Sequence, residues 1–172
     1  MSHTLWTIGH STRPIDEFVS LLKAHGIRQL VDVRAIPRSR HNPQFNTETL
    51  SQSLAFAAIH YRHSGTLGGL RKPKKDSINT GWRNESFRGY ADYMQTEEFL
   101  RALDELMAES RLHHTAIMCA EAVPWRCHRS LIADALVTRD WEVRHIMSET
   151  KADPHRLTPF AAVENGLLRY RG

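Results

Sequence analysis

Both cysteines of the chain fall in one short run, Cys119-Ala-Glu121-Ala-Val-Pro124-Trp125-Arg126-Cys127-His128-Arg129. The same run holds a carboxylate, an imidazole and two guanidinium groups. Positive charge and the amino end of a helix stabilise a thiolate, which is the nucleophilic form of cysteine. Cys119 is therefore the candidate nucleophile. His128, and His10 in Thr7-Ile8-Gly9-His10-Ser11, are candidate proton carriers near neutrality, with Glu121 to orient one of them. Arg126 and Arg129, three apart, are candidate ligands of an anion. A cation in a helix's first turn is unfavourable by about 0.3–1 kcal/mol, so the pair calls for an acidic partner. That partner is either Glu121 itself or a bound phosphate, carboxylate or nucleic-acid backbone. Cys127 falls within the expected first helical turn and faces either the same pocket or the core, where a free cysteine behaves as a small hydrophobe. Asp32 and Arg34 flank Val33 in alternation and project from one side of a strand. They form an ion pair, or together orient a substrate or His10.

A metal reading uses the same residues. Cys119, Glu121, Cys127 and His128 are legitimate ligands, and His10 could join them. The spacing lacks the paired Cys-x2-Cys knuckle, so a structural zinc site is not expected. No cofactor is expected, while a single ion held by cysteine and histidine stays open. The chain has neither Gly-x-Gly-x-x-Gly nor a Walker sequence, which disfavours dinucleotide binding by the standard loop and P-loop hydrolysis. Cys119 to Arg126 resembles the Cys-x5-Arg loop of cysteine phosphatases and sulfurtransferases only loosely. The loop has no glycine, and its arginine stands one position late.

These side chains need a frame that gathers them. Thr115–Cys119 is a short apolar run with no polar face, as a strand buried on both sides of a parallel sheet requires. Leu5–Ile8, Gln29–Val33, Ile59–Tyr61 and Glu142–Met147 read as further strands. Helices are expected from Pro14 to Gly26, over 47–57, from Tyr90, from the Thr96 cap onward, and beyond Pro124, where Leu131, Ile132, Ala135 and Leu136 recur at helical spacing. A short terminal helix is expected from Thr158-Pro159 to Asn165-Gly166. Alternating strands and helices imply an α/β fold, an open, mainly parallel sheet of about five strands with helices on both faces, Rossmann-like and three-layered. Ligands of such sheets bind outside the carboxyl ends of the strands, an edge that collects His10, Asp32, Arg34 and Cys119.

The length of 172 residues fits a single domain, 1–172, and 41% hydrophobic with 24% charged residues is an ordinary globular composition. Nothing resembles a secretory signal, and no apolar stretch approaches the roughly 20 residues of a membrane helix. A soluble chain in the reducing cytoplasm, with no membrane partner, is the expectation. His25, His113, His114 and His155 fall in expected surface or connecting segments. The net charge of +4 permits an anionic substrate or a nucleic-acid partner. An irregular, basic loop at about 64–89 carries Arg71, Lys72, Lys74, Lys75, Arg83 and Arg88, interleaved with Trp82, Phe87 and Tyr90. With Arg34, Arg38 and Arg40 it suits a nucleotide or a single strand, as would any solvated basic loop.

Thr7-Ile8-Gly9-His10-Ser11, Val31-Asp32-Val33-Arg34 with Pro37-Arg38-Ser39, Leu67-Gly68-Gly69, Phe87-Arg88-Gly89-Tyr90, and Cys119-Ala-Glu121 followed by Cys127-His128-Arg129 form an ordered set. From residue 5 to about 147 this set resembles the family called domain of unknown function 488. The resemblance implies a single α/β domain of bacterial or archaeal type whose cysteines have been suspected of enzymatic use; it implies no particular reaction. The chain departs from the family before Leu67, where Arg62-His63-Ser64-Gly65-Thr66 replaces a proline-containing stretch. The leading expectation is a thiol-dependent hydrolase or transferase acting on a small phosphorylated or nucleotide-like anion. Its rivals are a nucleic-acid-binding module without catalysis and a metal-dependent enzyme using the Cys/His/Glu cluster.

Overall fold

Five short strands lie parallel, with helices covering both faces of the sheet they form. In the computed structural model, which describes residues 3–172, these are β1 (Thr4–Gly9), β2 (Gln29–Asp32), β3 (His60–His63), β4 (Thr115–Cys119) and β5 (Glu142–Ile146). Their spatial order is β3-β2-β4-β1-β5. A sixth strand, β6 (Ala152–Pro154), closes the β5 edge antiparallel. It extends the five strands legible in the sequence, and its proline sits at a sheet edge, where a missing N–H is tolerated.

Helices α1 (Ile15–Ala24) and α2 (Thr47–Phe56) cover one face, packing Phe18, Leu22, Leu50 and Leu54 against Ile8, Leu30, Ala116 and Met118. Helices α3 (Glu85–Tyr93), α4 (Glu97–Leu112) and α5 (Arg129–Val137) cover the other, against Leu5, Val31, Ile117, Cys119 and Val143. Asn84 and Thr96 cap α3 and α4 by accepting first-turn amides. Alternation along β4 therefore turns Cys119 toward the α3–α5 layer. None of the helices among the described residues is long and apolar enough to cross a membrane.

The chain's end corrects the expected terminal helix. Residues Ala161–Glu164 (β7) and Leu167–Tyr170 (β8) form an antiparallel hairpin. Its turn is Asn165 at φ 53° and Gly166 at φ 78°. Asn-Gly serves both as a helix stop and as the turn that matches strand twist, and the flanking pairing decides for the latter.

The 64–89 stretch is also more ordered than its composition suggests. Gly65–Leu67 is a 3-10 turn, and α3 already begins at Glu85. Buried Asp92 ties the middle down by accepting from Lys74 N, Ser77 Oγ and Asn79 Nδ2 at 2.7–2.9 Å. Its aromatic residues do not form the open stacking surface that the interleaving suggested. Tyr90 is 1% exposed and donates to the Leu67 carbonyl, and Trp82 packs edge-on against Phe87 and Phe160.

Candidate functional site

The carboxyl ends of β1, β2 and β4 meet at one edge, with Gly9 in register with Cys119 and Asp32 with Met118. The loops beyond β1 and β4 are stitched together: His10 N donates to the Cys119 carbonyl and Ser11 N to that of Ala120, both at 2.9 Å. Gly9 makes this approach possible, since a Cβ there would lie 1.9 Å from the Glu121 carbonyl oxygen.

On the α3–α5 side, Pro124–Arg126 forms a 3-10 turn and Cys127 is extended, with φ −131°, so α5 begins only at Arg129. This corrects the placement of Arg126 and Cys127 in the helix's first turn. Because Cys127 and His128 precede the helix, they do not diverge around it; both line one cavity, with Cys127 Sγ 3.5 Å from His128 Nδ1. Cys119 borders the same cavity, and Arg129 touches both sulfurs, its amide at Cys127 Sγ and its Nη1 at Cys119 Sγ.

Arg129 is the unusual member. It is fully buried, yet among the described residues it forms no ion pair with a carboxylate. Nη1 donates to the Glu121 carbonyl at 3.0 Å and to Cys119 Sγ at 3.4 Å, Nη2 donates to the Ala122 carbonyl at 3.1 Å, and Nε has no partner. A buried cation matched only by neutral carbonyls costs several kcal/mol. Among the described residues, the ionisable side-chain atom that its guanidinium touches is Cys119 Sγ. Burial alone would raise the Cys119 pKa. The Cys127 hydrogen bond, the Arg129 charge and a backbone hydrogen bond from Glu121 together outweigh it, and the net shift is downward. In the thiol form Cys119 has only the Glu121 carbonyl to donate to, at 3.6 Å, and Arg129 already occupies that oxygen. Cys127 moves the other way, held protonated by its bond to Cys119 and by burial.

Glu121 does not fill the expected role of carboxylate partner to the arginines. Its exposed side chain accepts from Val123 N at 3.2 Å and braces the turn, while Arg129 takes its backbone oxygen. His128 is half-buried, and the loss of solvent around its ring lowers its pKa to about 4 against the opposing pull of the Val33 and Leu67 carbonyls. Its Nε2–H donates to Val33 O at 2.8 Å, leaving Nδ1 to face Cys127. Neutral and engaged at both nitrogens, it positions Cys127.

On the α1–α2 side, Asp32, the last residue of β2, and Arg34, two residues beyond it, form a buried, bidentate ion pair, with Nη2–Oδ2 at 2.7 Å. Tyr61 Oη donates to the same carboxylate at 2.6 Å, a contact that the sequence did not suggest. Arg34 Nη1 reaches His10 Nε2 at 3.4 Å. His10 stacks on Phe45 and donates from Nδ1 to the Ser11 carbonyl. Burial lowers its pKa, aided by the Arg34 charge, so its Nε2 is a free base at neutral pH.

The two sides share a cavity of about 400 Å³. Arg34, Arg38 and Arg126 give it positive charge, and Ile36, Leu70 and Phe87 give it an apolar wall. Ile36 and Leu70 are 64% and 79% exposed, and Leu70 is held at φ 60°, a strained setting for a branched residue. Arg126 is exposed and makes no ion pair among the described residues. Nor do any three His, Cys, Asp or Glu side chains there gather closely enough to hold a metal ion.

A larger cavity, about 750 Å³, lies beyond Pro124 and is bordered by Trp125, His145 and His155. Its imidazoles are fully committed. Thr7 Oγ1 pairs with His145 Nδ1, His145 Nε2 with His155 Nδ1, and His155 Nε2 with Asp134 at 2.6–2.8 Å. His155 lies in a connecting segment after β6, as expected, and its ring is tied into the structure by these bonds. Neither cysteine borders this larger cavity, whereas both border the smaller one.

No curated protein and no solved structure matches the chain. A family model described as Domain of unknown function DUF488 matches residues 14–136, which takes in Asp32, Arg34 and the whole 119–129 run but leaves out His10; the chain belongs to that family.

Proposed function

We propose that the protein is a thiol-dependent transferase or hydrolase acting on a small phosphorylated or nucleotide-like anion. One observation carries the reading: buried Arg129, without a carboxylate, lies 3.4 Å from the Cys119 sulfur. An ionised Cys119 satisfies that cation and is at the same time the reactive form of the thiol. The substrate's anionic group meets Arg126 and Arg38, and its apolar or planar part lies along Ile36, Leu70 and Phe87. Cys119 Sγ forms a bond to the electrophilic centre, and the leaving group departs with its bonding pair. His10 Nε2 then takes a proton from the water or acceptor that displaces Sγ, and the sulfur returns to Arg129 as thiolate. Cys127 supplies the hydrogen bond that stabilises that sulfur, Asp32 fixes Arg34, and Arg34 fixes His10.

The test is protection of Cys119 from iodoacetamide. A nucleoside monophosphate is expected to slow native alkylation of Cys119, and Arg126→Ala to abolish the protection while leaving the unprotected rate in place. Equal rates with and without nucleotide and inorganic phosphate would overturn the anion-binding reading. The nucleic-acid reading draws support from the exposed Lys72, Lys74, Lys75 and Arg83, with Tyr90 buried and Trp82 packed edge-on against Phe87 and Phe160.

A further inference from the structure

A nucleophile needs one cysteine, and the cavity has two. Cys127 is conformationally unlike its neighbours: it is neither in the 3-10 turn nor in α5, and its extended backbone places Sγ at the cavity that Cys119 borders, where Arg129 touches both sulfurs. The Arg129 amide and His128 Nδ1, each 3.5 Å from Cys127 Sγ, hold it there. Both sulfurs border the same cavity, so an oxidant that reaches one meets both.

We propose that Cys119 and Cys127 form a redox-active dithiol in which Cys119 reduces a hydroperoxide and Cys127 resolves it as an intramolecular disulfide. The inference rests on the thiolate reading of Cys119. The Cys119 thiolate attacks the terminal peroxide oxygen. The O–O bond breaks, the alkoxide or hydroxide leaves with the pair and takes a proton from solvent, and Cys119 becomes a sulfenic acid. The Cys127 sulfur then attacks the Cys119 sulfur, loses its proton, and expels hydroxide as water. Peroxide is reduced by two electrons, and the two thiols are oxidised by two.

The return step has a direction. Disulfide formation removes the thiolate that faces Arg129, which has no carboxylate partner among the described residues, so the protein favours the reduced state and the bond is a readily reduced one. A small-molecule thiol is expected to attack Cys127 Sγ, because Cys119 is the better leaving group. A second thiol equivalent then releases Cys127 and leaves as the small-molecule disulfide. Resolution by Cys127 also keeps Cys119 from the irreversible sulfinic acid.

Intact-protein mass spectrometry after hydrogen peroxide titration of the native protein tests this. The wild-type chain is expected to lose two hydrogens, with peptide mapping joining Cys119 to Cys127, and to recover them with dithiothreitol. Cys127→Ser is expected to gain one oxygen that dimedone captures, and Cys119→Ser to stay unchanged at the same peroxide dose. If the wild-type chain instead adds oxygen at Cys119 and never loses two hydrogens, the dithiol is overturned and the thiolate reading stands. If neither cysteine of the folded wild-type chain changes, both fall. The wild-type measurement decides between these outcomes even where a cysteine variant fails to fold.

Discussion

Arg129 and Arg126 sit three positions apart and do different things. Arg126 lies exposed at the cavity and is free to meet a substrate, whereas Arg129 is buried and bonds Cys119 and two loop carbonyls. Removing the Arg129 charge with Arg129→Gln is expected to raise the Cys119 pKa by roughly 1–3 pH units, the usual effect of an adjacent opposite charge. Arg129→Lys keeps the charge but loses the fork that holds the Glu121 and Ala122 carbonyls, so it is expected to raise the pKa by less. Comparing alkylation rates against pH for the two variants separates charge from geometry. Part of this was legible. A cation at a helix start is out of place, and that anomaly pointed to Arg129. The Cys-x5-Arg comparison pointed instead to Arg126, because sequence spacing does not show which arginine folds back beneath a loop. Asp32 and Arg34 were legible as a pair, since the two-residue period of extended backbone puts them on one side. Tyr61 beneath them was not, because strand neighbours in a parallel sheet are distant in sequence.

Helix α5 joins the site to the chain's end. It begins at Arg129, and one turn further on buried Asp134 accepts His155 Nε2, Thr158 N, Thr158 Oγ1 and Tyr170 Oη at 2.7–3.1 Å. Those groups belong to the segment after β6 and to β8. Asp134→Asn offers an amide to donors and leaves buried partners unpaired, and is expected to cost about 3 kcal/mol. The hairpin is expected to loosen first, as faster amide exchange over 161–170 than over β1 and β4. Conversely, normal exchange and an unchanged urea midpoint in this variant would show that the hub does not hold the hairpin. The hairpin is ambiguous in sequence. Thr158-Pro159 and Asn165-Gly166 can punctuate a helix as well as a hairpin, and the choice was made by Tyr170 docking on Asp134 and Asn79. Most of the parallel strands and helices were legible from their runs of apolar residues, although β3 carries only Tyr61 and α3 begins at Glu85, ahead of the expected Tyr90. The three-residue β6 has too few residues to show such a run.

At the scale of the molecule, the α/β alternation places three strand ends side by side, and two sides of one cavity follow from two covered faces of one sheet. Burying imidazoles within those layers makes the fold acid-sensitive. His128 and His145 are lowered by burial to about 4 and about 3 from the ordinary 6.5. Below about pH 6.5 the unfolded chain takes up protons that the native state refuses, so stability falls as pH drops toward those values and is unaffected by these groups above it. At about 1.4 kcal/mol per pH unit, His128 alone removes about 3 kcal/mol by pH 4. Urea denaturation at about pH 7 and about pH 5 is expected to show a loss of roughly 2 kcal/mol per histidine, and an equal midpoint at both would contradict the burial assignment.

The account turns on the charge of one sulfur. Titrating the thiolate ultraviolet absorbance of the native protein, and subtracting the same titration of Cys119→Ser, measures it directly. The Cys119 transition is predicted to lie clearly below the ordinary thiol value of about 8.5, with Cys127 not ionising until well above it. A Cys119 transition at or above that value would contradict the pairing with Arg129 on which the nucleophile, and the dithiol with it, depends.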